Sequence, residues 1–222
     1  MANPQLGVVI LGAGASARMG RPKLLLPWRD TTVIGQIISQ WRGLGAAQIA
    51  VVGRAGDEKL VGELQRCSDA AERTEAVSTF QPFHLSTHYI SNPQPERGMF
   101  SSVVCAAEWR GWKKDISHWA VTLGDQPHLK TKTLAALLEF SAQNPGAICQ
   151  PEFQGRERHP VILPQEIFCA LKNSRAESLK DFLQDSGWPR RRCAVDDAGL
   201  ALDLDTPEDW RRLGQKPFQS AA

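Results

Sequence analysis

Residues Gly7 to Trp28, GVVILGAGASARMGRPKLLLPW, run from a short apolar strand into a glycine-rich turn that carries Arg18 and closes on Pro22-Lys23. Backbone N–H groups exposed at Gly12 and Gly14 can point at phosphate oxygens. Arg18 and Lys23 add permanent positive charge for what those amides leave unneutralised. That is the chemistry of a nucleoside triphosphate cradle. Gly12, Gly14 and Ala17 also satisfy the G-x-G-x-x-G/A dinucleotide fingerprint. A dinucleotide unit needs a long helix starting at the turn, and Gly20 and Pro22 stop any helix begun at Ala15 after about two turns. The next strand runs into Gly53-Arg54 instead of an acid for a ribose hydroxyl, so only an NADP version of that reading survives. A solvated glycine-rich connection without a ligand is the third reading of the same residues.

Two acidic segments bear on the choice. The strand His118 to Leu123 ends in Gly124-Asp125-Gln126-Pro127. This sets a carboxylate at the carboxyl edge of a central strand, where open α/β sheets bind ligands. A carboxylate there can hold Mg²⁺, a hard ion that completes its shell with water and triphosphate oxygens. Gly124 would let a nucleotide approach closely, although a turn leading to a helix cap uses the same residue types. In Ala201 to Asp209, alternation predicts a short strand with Asp203 and Asp205 on one face. Asp205, just before the helix start at Thr206, is the expected metal ligand, with Asp203 in reserve. Glu208 and Asp209 complement the helix N-terminal dipole.

The elements that must position these residues alternate strand and helix. Gly7 to Leu11 is a continuous aliphatic run of the buried parallel type. Thr32 to Leu44 has apolar residues at helical spacing and stops at Gly45. Gln48 to Val52 is the second strand and Asp57 to Arg66 the next helix. Cys67 to Leu85, polar and containing Pro82, reads as a loop or an inserted excursion. His88 to Ser91, His118 to Leu123, Ala147 to Gln150 and Pro160 to Leu163 read as strands. Phe100 to Trp109, Thr131 to Ala142, Pro164 to Leu171, Ala176 to Gln184 and Pro207 to Leu213 read as helices, the last capped by Thr206. The pattern is α/β, Rossmann-like and doubly wound around a mainly parallel sheet.

At 222 residues and 42% hydrophobic content, one domain over residues 1–216 is the simplest count, with a frayed tail at 217–222. A net charge of +2, from 26 basic and 24 acidic residues, lacks the basic excess of a nucleic-acid binder. The five cysteines are widely spread without zinc or redox spacing and read as reduced thiols. Neither an export signal nor an 18-residue apolar run is present, so a cytoplasmic chain that does not engage a membrane is expected.

Taken together, Leu11 to Lys23, Glu96 to Ser102, Gly124 to Pro127, His159-Pro160-Val161 and Asp203 to Asp209 make the chain resemble the MobA-like nucleotidyltransferases, in particular the branch with molybdenum cofactor cytidylyltransferase. The resemblance runs nearly end to end. It implies a nucleotidyltransferase fold of the nucleotide-diphospho-sugar transferase type. Its first loop, Leu11, Gly12, Ala13, Gly14 and Ser16, would bind the triphosphate, with Arg18 and Lys23 on the phosphates. Asp125 and Asp205 would ligate Mg²⁺ beside Gly124. Gly98, Ser101 and Ser102 would lie near the base or acceptor, though on residue types alone they could form an ordinary helix start. The implied reaction moves CMP or GMP from CTP or GTP to a phosphorylated acceptor of the molybdopterin type, releasing pyrophosphate.

Relatives usually carry Gly before the His-Pro pair, whereas Arg158 stands here. His159 is then a substrate contact or a turn residue holding Pro160, and Arg158 and Arg156 could recruit an acidic acceptor. The Gly-Asp pair common in cofactor cytidylyltransferases is missing from Lys172 to Ser178. Ala13, where guanylyl-transferring relatives tend to have Gly, leans toward CTP. A regulatory protein that binds nucleotide without turnover is the alternative from another class, and a transferase with a different phosphorylated acceptor is the alternative within the same class.

Overall fold

The computed structural model describes residues 5–75, 87–185 and 187–214. In chain order its elements are β1 (Gln5–Leu11), β2 (Pro27–Trp28), β3 (Thr31–Thr32), α1 (Val33–Gly43), β4 (Gln48–Arg54), α2 (Glu58–Glu75), β5 (Thr87–Asn92) and α3 (Met99–Glu108). There follow β6 (Ile116–Leu123), α4 (Thr131–Gln143), β7 (Ile148–Phe153), β8 (Arg156–Glu157), β9 (Val161–Pro164), α5 (Gln165–Ala170), α6 (Leu179–Asp185), β10 (Arg190–Ala194) and α7 (Pro207–Gly214).

The main sheet runs β10-β7-β9-β6-β1-β4-β5, with β8 on β7, while β2 and β3 form a separate small hairpin. β6, β1, β4 and β5 pair in parallel and so does β10 with β7. β9 is antiparallel to both of its neighbours. The sheet is therefore mainly parallel, as expected of a doubly wound α/β chain.

Period-two alternation puts helices on both faces. Val8 and Ile10 of β1 join one apolar cluster and Val9 and Leu11 the other. The first cluster takes Ile34, Ile38 and Trp41 of α1 with Leu134 and Leu137 of α4. The second takes Phe100 and Val103 of α3, Phe168 of α5 and Phe182 of α6. Because both faces are covered, these strands read as continuous apolar runs.

Several expectations need correction. α2 continues to Glu75, so Cys67 to Glu75 is helix and not loop. Ser68 Oγ donates to the Leu64 carbonyl, Gln65 pairs with Asp69, and the Ala-Ala-Glu-Arg run is a good helix former despite its polarity. The rest of that expected loop, 76–85, lies outside the described residues, as does the 217–222 tail. α6 begins at Leu179 instead of Ala176, because Ser178 Oγ accepts from Asp181 N and fixes the start there. Residues 202–205 form no strand; Leu204 N bonds instead to the Asp125 carbonyl at 3.1 Å.

Candidate active site

β1 and β6 pair in register, Leu11 beside Leu123, so both end level at one edge of the sheet. The glycine loop and the Gly124-Asp125 turn therefore emerge side by side. Gly124 N donates to the Leu11 carbonyl at 3.0 Å, and Gly12 N to the Val52 carbonyl of β4 at 2.8 Å. Leu24, buried beneath them, fills the floor: a Cβ on Gly12 would meet Leu24 Cδ1 at 2.6 Å and one on Gly124 would meet Leu24 Cδ2 at 2.8 Å. The loop is open and not helical. Ser16 turns it with a φ of 51°, and its hydroxyl accepts from Lys23 N at 3.2 Å.

A cavity of about 280 Å³ opens at this edge. Leu11, Gly12, Ala13, Gly14, Ser16, Lys23, Gly98, Ser102, Gly124 and Asp125 line it, joined by Leu24, Pro95, Met99 and Leu123. Gly98 has a φ of 87°, in the region glycine favours, and it redirects the chain into α3. Ser102 is buried and accepts from Asn92 Nδ2 at 2.9 Å. Ser101 is not on this wall: adjacent helical residues point about 100° apart, and its hydroxyl donates to the Gly98 carbonyl at 2.7 Å beside a separate cleft.

At the mouth of the cavity four charges meet. Lys23 Nζ lies 3.0 Å from Asp125 Oδ2 and 2.9 Å from Asp205 Oδ1, while the Arg18 guanidinium reaches Asp205 Oδ2 at 2.7 Å. Burial alone would lower the Lys23 pKa, but hydrogen bonds and charge from Asp205 and Asp125 outweigh it and hold the ammonium above its ordinary value. Arg18 is 72% exposed and stands outside the cavity wall, with its guanidinium against the Asp205 carboxylate.

Asp205 is delivered by α7. Thr206 and Asp209 form a capping box, Asp209 N to Thr206 Oγ1 at 3.1 Å and Thr206 N to Asp209 Oδ2 at 3.0 Å. Trp210 Nε1 donates to the Pro27 carbonyl at 3.1 Å and ties the helix to the small hairpin. Asp203 turns away to Gln126 Nε2 at 3.0 Å, so the two aspartates do not share a site.

No group of three or more His, Cys, Asp and Glu side chains suited to a metal occurs among the described residues. The Asp125–Asp205 pair nevertheless fits a hard divalent cation. Both are oxygen donors, Asp125 Oδ1 is buried without a hydrogen-bond partner, and a cationic group already sits between the two carboxylates.

His159 and Arg158 lie near the same sheet edge but off the cavity wall. β9 runs antiparallel to β6, bringing His159 Nδ1 to 3.3 Å from the Val121 carbonyl, ahead of the cis peptide to Pro160. Burial lowers the His159 pKa against the opposing effects of Val121, Asp125 and Asp203. Arg158 is held by its backbone, N to the Pro151 carbonyl at 2.9 Å. Leu24, Pro95, Met99 and the Leu204 amide are the parts that sequence reading missed. Of these Met99 lies inside the Glu96 to Ser102 motif, and its 46% exposed apolar side chain shows only in the structure.

Among the described residues no helix is long and apolar enough to cross a membrane. A molybdenum cofactor cytidylyltransferase from Escherichia coli K12 is 26% identical over 203 residues, covering 91% of this chain and 92% of that one. The purine catabolism protein PucB from Bacillus subtilis 168 is 27% identical over 223 residues, covering 95% and 96%. Among solved structures, Rv0371c from Mycobacterium tuberculosis H37Rv in complex with manganese superposes with a TM-score of 0.60 at 24% identity, covering 96% of this chain and all of that one. The family described as the MobA-like NTP transferase domain matches residues 8–191, so this chain belongs to that family and is a nucleotidyltransferase.

Proposed function

We propose that the protein transfers a nucleoside monophosphate, CMP in preference to GMP, from a nucleoside triphosphate to a phosphorylated acceptor of the molybdopterin type, with Mg²⁺. One observation carries this reading: Asp125 and Asp205, 80 positions apart in the chain, converge on Lys23 beside a cavity walled by the glycine loop. The likeness to a cytidylyltransferase supports CTP and a cofactor acceptor. Rv0371c, of the same fold and solved with manganese, is a precedent for a divalent ion.

In this mechanism the amides of Ala13 and Gly14 face the phosphates, the Gly12 amide expected to do so being bonded instead to the Val52 carbonyl, and Lys23 and Arg18 bind the charge that builds on the α-phosphate and the leaving pyrophosphate. Pro95, Gly98 and Met99 form the wall against which the base packs. Asp125 and Asp205 would hold Mg²⁺, which when bound neutralises phosphate charge. An acceptor phosphate oxygen attacks the α-phosphorus in line, the α–β bridging bond breaks, and no side chain acts as nucleophile. Arg158 approaches the same edge from β8 and β9 and is proposed to meet the acceptor's anionic group.

The test is pyrophosphate release from each of CTP, GTP, ATP and UTP with Mg²⁺, with and without molybdopterin. Release is expected from CTP first and only with acceptor. Nucleotide binding without release under any condition would replace this reading with a regulatory nucleotide-binding protein. Lys23→Ala is expected to stay folded and lose most turnover.

A further inference from the structure

Sequence logic places Lys23 on the phosphates, yet in the structure its ammonium bridges the two carboxylates, and its side chain is only 15% exposed. Arg18 covers the other oxygen of Asp205, so the formal charges of Arg18, Lys23, Asp125 and Asp205 cancel. A bare divalent ion entering here must displace the ammonium from both oxygens and leave it only a few ångströms away. Like charges at that spacing, at partly buried positions, repel strongly.

We propose that Lys23 is an internal cation that occupies the carboxylate pair until a triphosphate draws it away, so that the divalent metal is admitted with nucleotide and not before it. The exchange is local. Lys23 N is tied to Ser16 Oγ in the glycine loop, and Leu24 is buried in the floor, so the backbone of Lys23 is anchored beside the cradle. The four-carbon stem can then swing from carboxylate to phosphate by rotamer change alone. A triphosphate offers the ammonium several negative oxygens in return for two, and the swing uncovers Asp125 Oδ2 and Asp205 Oδ1 next to the already unpartnered Asp125 Oδ1.

The inference rests on the metal-dependent reading above, and its test does not use turnover. Free Mn²⁺ is titrated by electron paramagnetic resonance against the nucleotide-free protein, in wild type, Lys23→Met, Lys23→Gln and Lys23→Met combined with Asp125→Asn. Both single variants should bind Mn²⁺ at least about tenfold more tightly than wild type, a difference of roughly 1.4 kcal/mol. The combined variant should lose that gain. Mn²⁺ should also raise the melting temperature of Lys23→Met more than that of wild type. Equal or weaker Mn²⁺ binding by both single variants, with native circular dichroism, overturns the proposal. So does a gain that survives Asp125→Asn. The metal-dependent transferase reading fails separately, if Asp125→Asn and Asp205→Asn each retain wild-type pyrophosphate release.

Discussion

Two glycines of the cradle separate its chemical role from its structural one. Gly14 lines the cavity, its φ lies outside the left-handed region, and a Cβ placed there meets nothing within 4 Å. Gly14→Ala should therefore leave stability within about 0.5 kcal/mol of wild type. The added methyl stands where the loop amides must reach phosphate. Loss of one amide hydrogen bond to a charged oxygen costs about 1.5 to 3 kcal/mol, or roughly 10- to 150-fold in the Kd for nucleotide. Gly124 is the opposite case. Its Cβ would stand 2.7 Å from the Leu11 carbonyl oxygen, which already accepts the Gly124 amide at 3.0 Å, so rigid backbone must shift. Overpacking of that kind costs about 1 to 3 kcal/mol. For a chain of this length that lowers the melting temperature by roughly 2 to 12 °C. Thermal melts and isothermal titration with CTP and Mg²⁺ on both variants read the two effects. If Gly14→Ala melts as early as Gly124→Ala and binds CTP as wild type does, the triphosphate is not held by this loop.

Asp197 is buried and accepts from Thr133 Oγ1, Lys130 N and Gly199 N. Asp197→Ala leaves those donors unpaired and should cost about 3 to 5 kcal/mol in denaturant unfolding. Burial alone would raise the Asp197 pKa, but its hydrogen bonds hold it below 3.8. The unfolded chain thus binds the proton first, and this carboxylate's stabilisation, complete well above pH 3.8, is lost as pH falls through the folded value. An acid titration of Asp197→Asn should lack that segment of the wild-type curve. Trp210→Phe, which removes the bond to the Pro27 carbonyl, should loosen α7 by about 1 kcal/mol, seen as faster hydrogen exchange over 207–214. Arg158→Gly should change the KM for acceptor and leave that for CTP within about twofold.

What could be read ahead of the structure follows from which forces leave a trace in residue order. β1, β4 and β6 are buried on both faces and announce themselves as aliphatic runs. β10 carries Arg190, Arg191 and Arg192, and nothing in that run suggests a strand. It is an edge strand whose Arg190 and Arg192 are answered by Glu157 and Glu152 across the sheet, a pairing invisible until β7 and β8 are in place. Alternation singled out Asp203 and Asp205 but put them on one face of a strand that does not form. The Asp125 turn was legible because it ends a strand, and the glycine loop because it follows one.

The resemblance implies Asp125 and Asp205 at one metal, but the direct contact of Lys23 with both carboxylates and the way they are spaced leave no such trace, and the reason lies in the backbone. Past the ends of the strands, main-chain bonds continue sideways from one segment to the next: Gly12 N to Val52, Gly124 N to Leu11, and Leu204 N to Asp125. Each bond sets one loop against its neighbour, so the carboxylates are spaced by peptide groups and not by their own side-chain contacts. This ladder uses only N–H and C=O groups; it demands glycine where segments approach closely at Gly12 and Gly124, but nothing in it marks which carboxylates it brings together. It also implies a division of labour. Exchanging Lys23, Asp125 or Asp205 alters the charge at the mouth of the cavity while the scaffold keeps its shape, whereas crowding the ladder at Gly124 moves all three together.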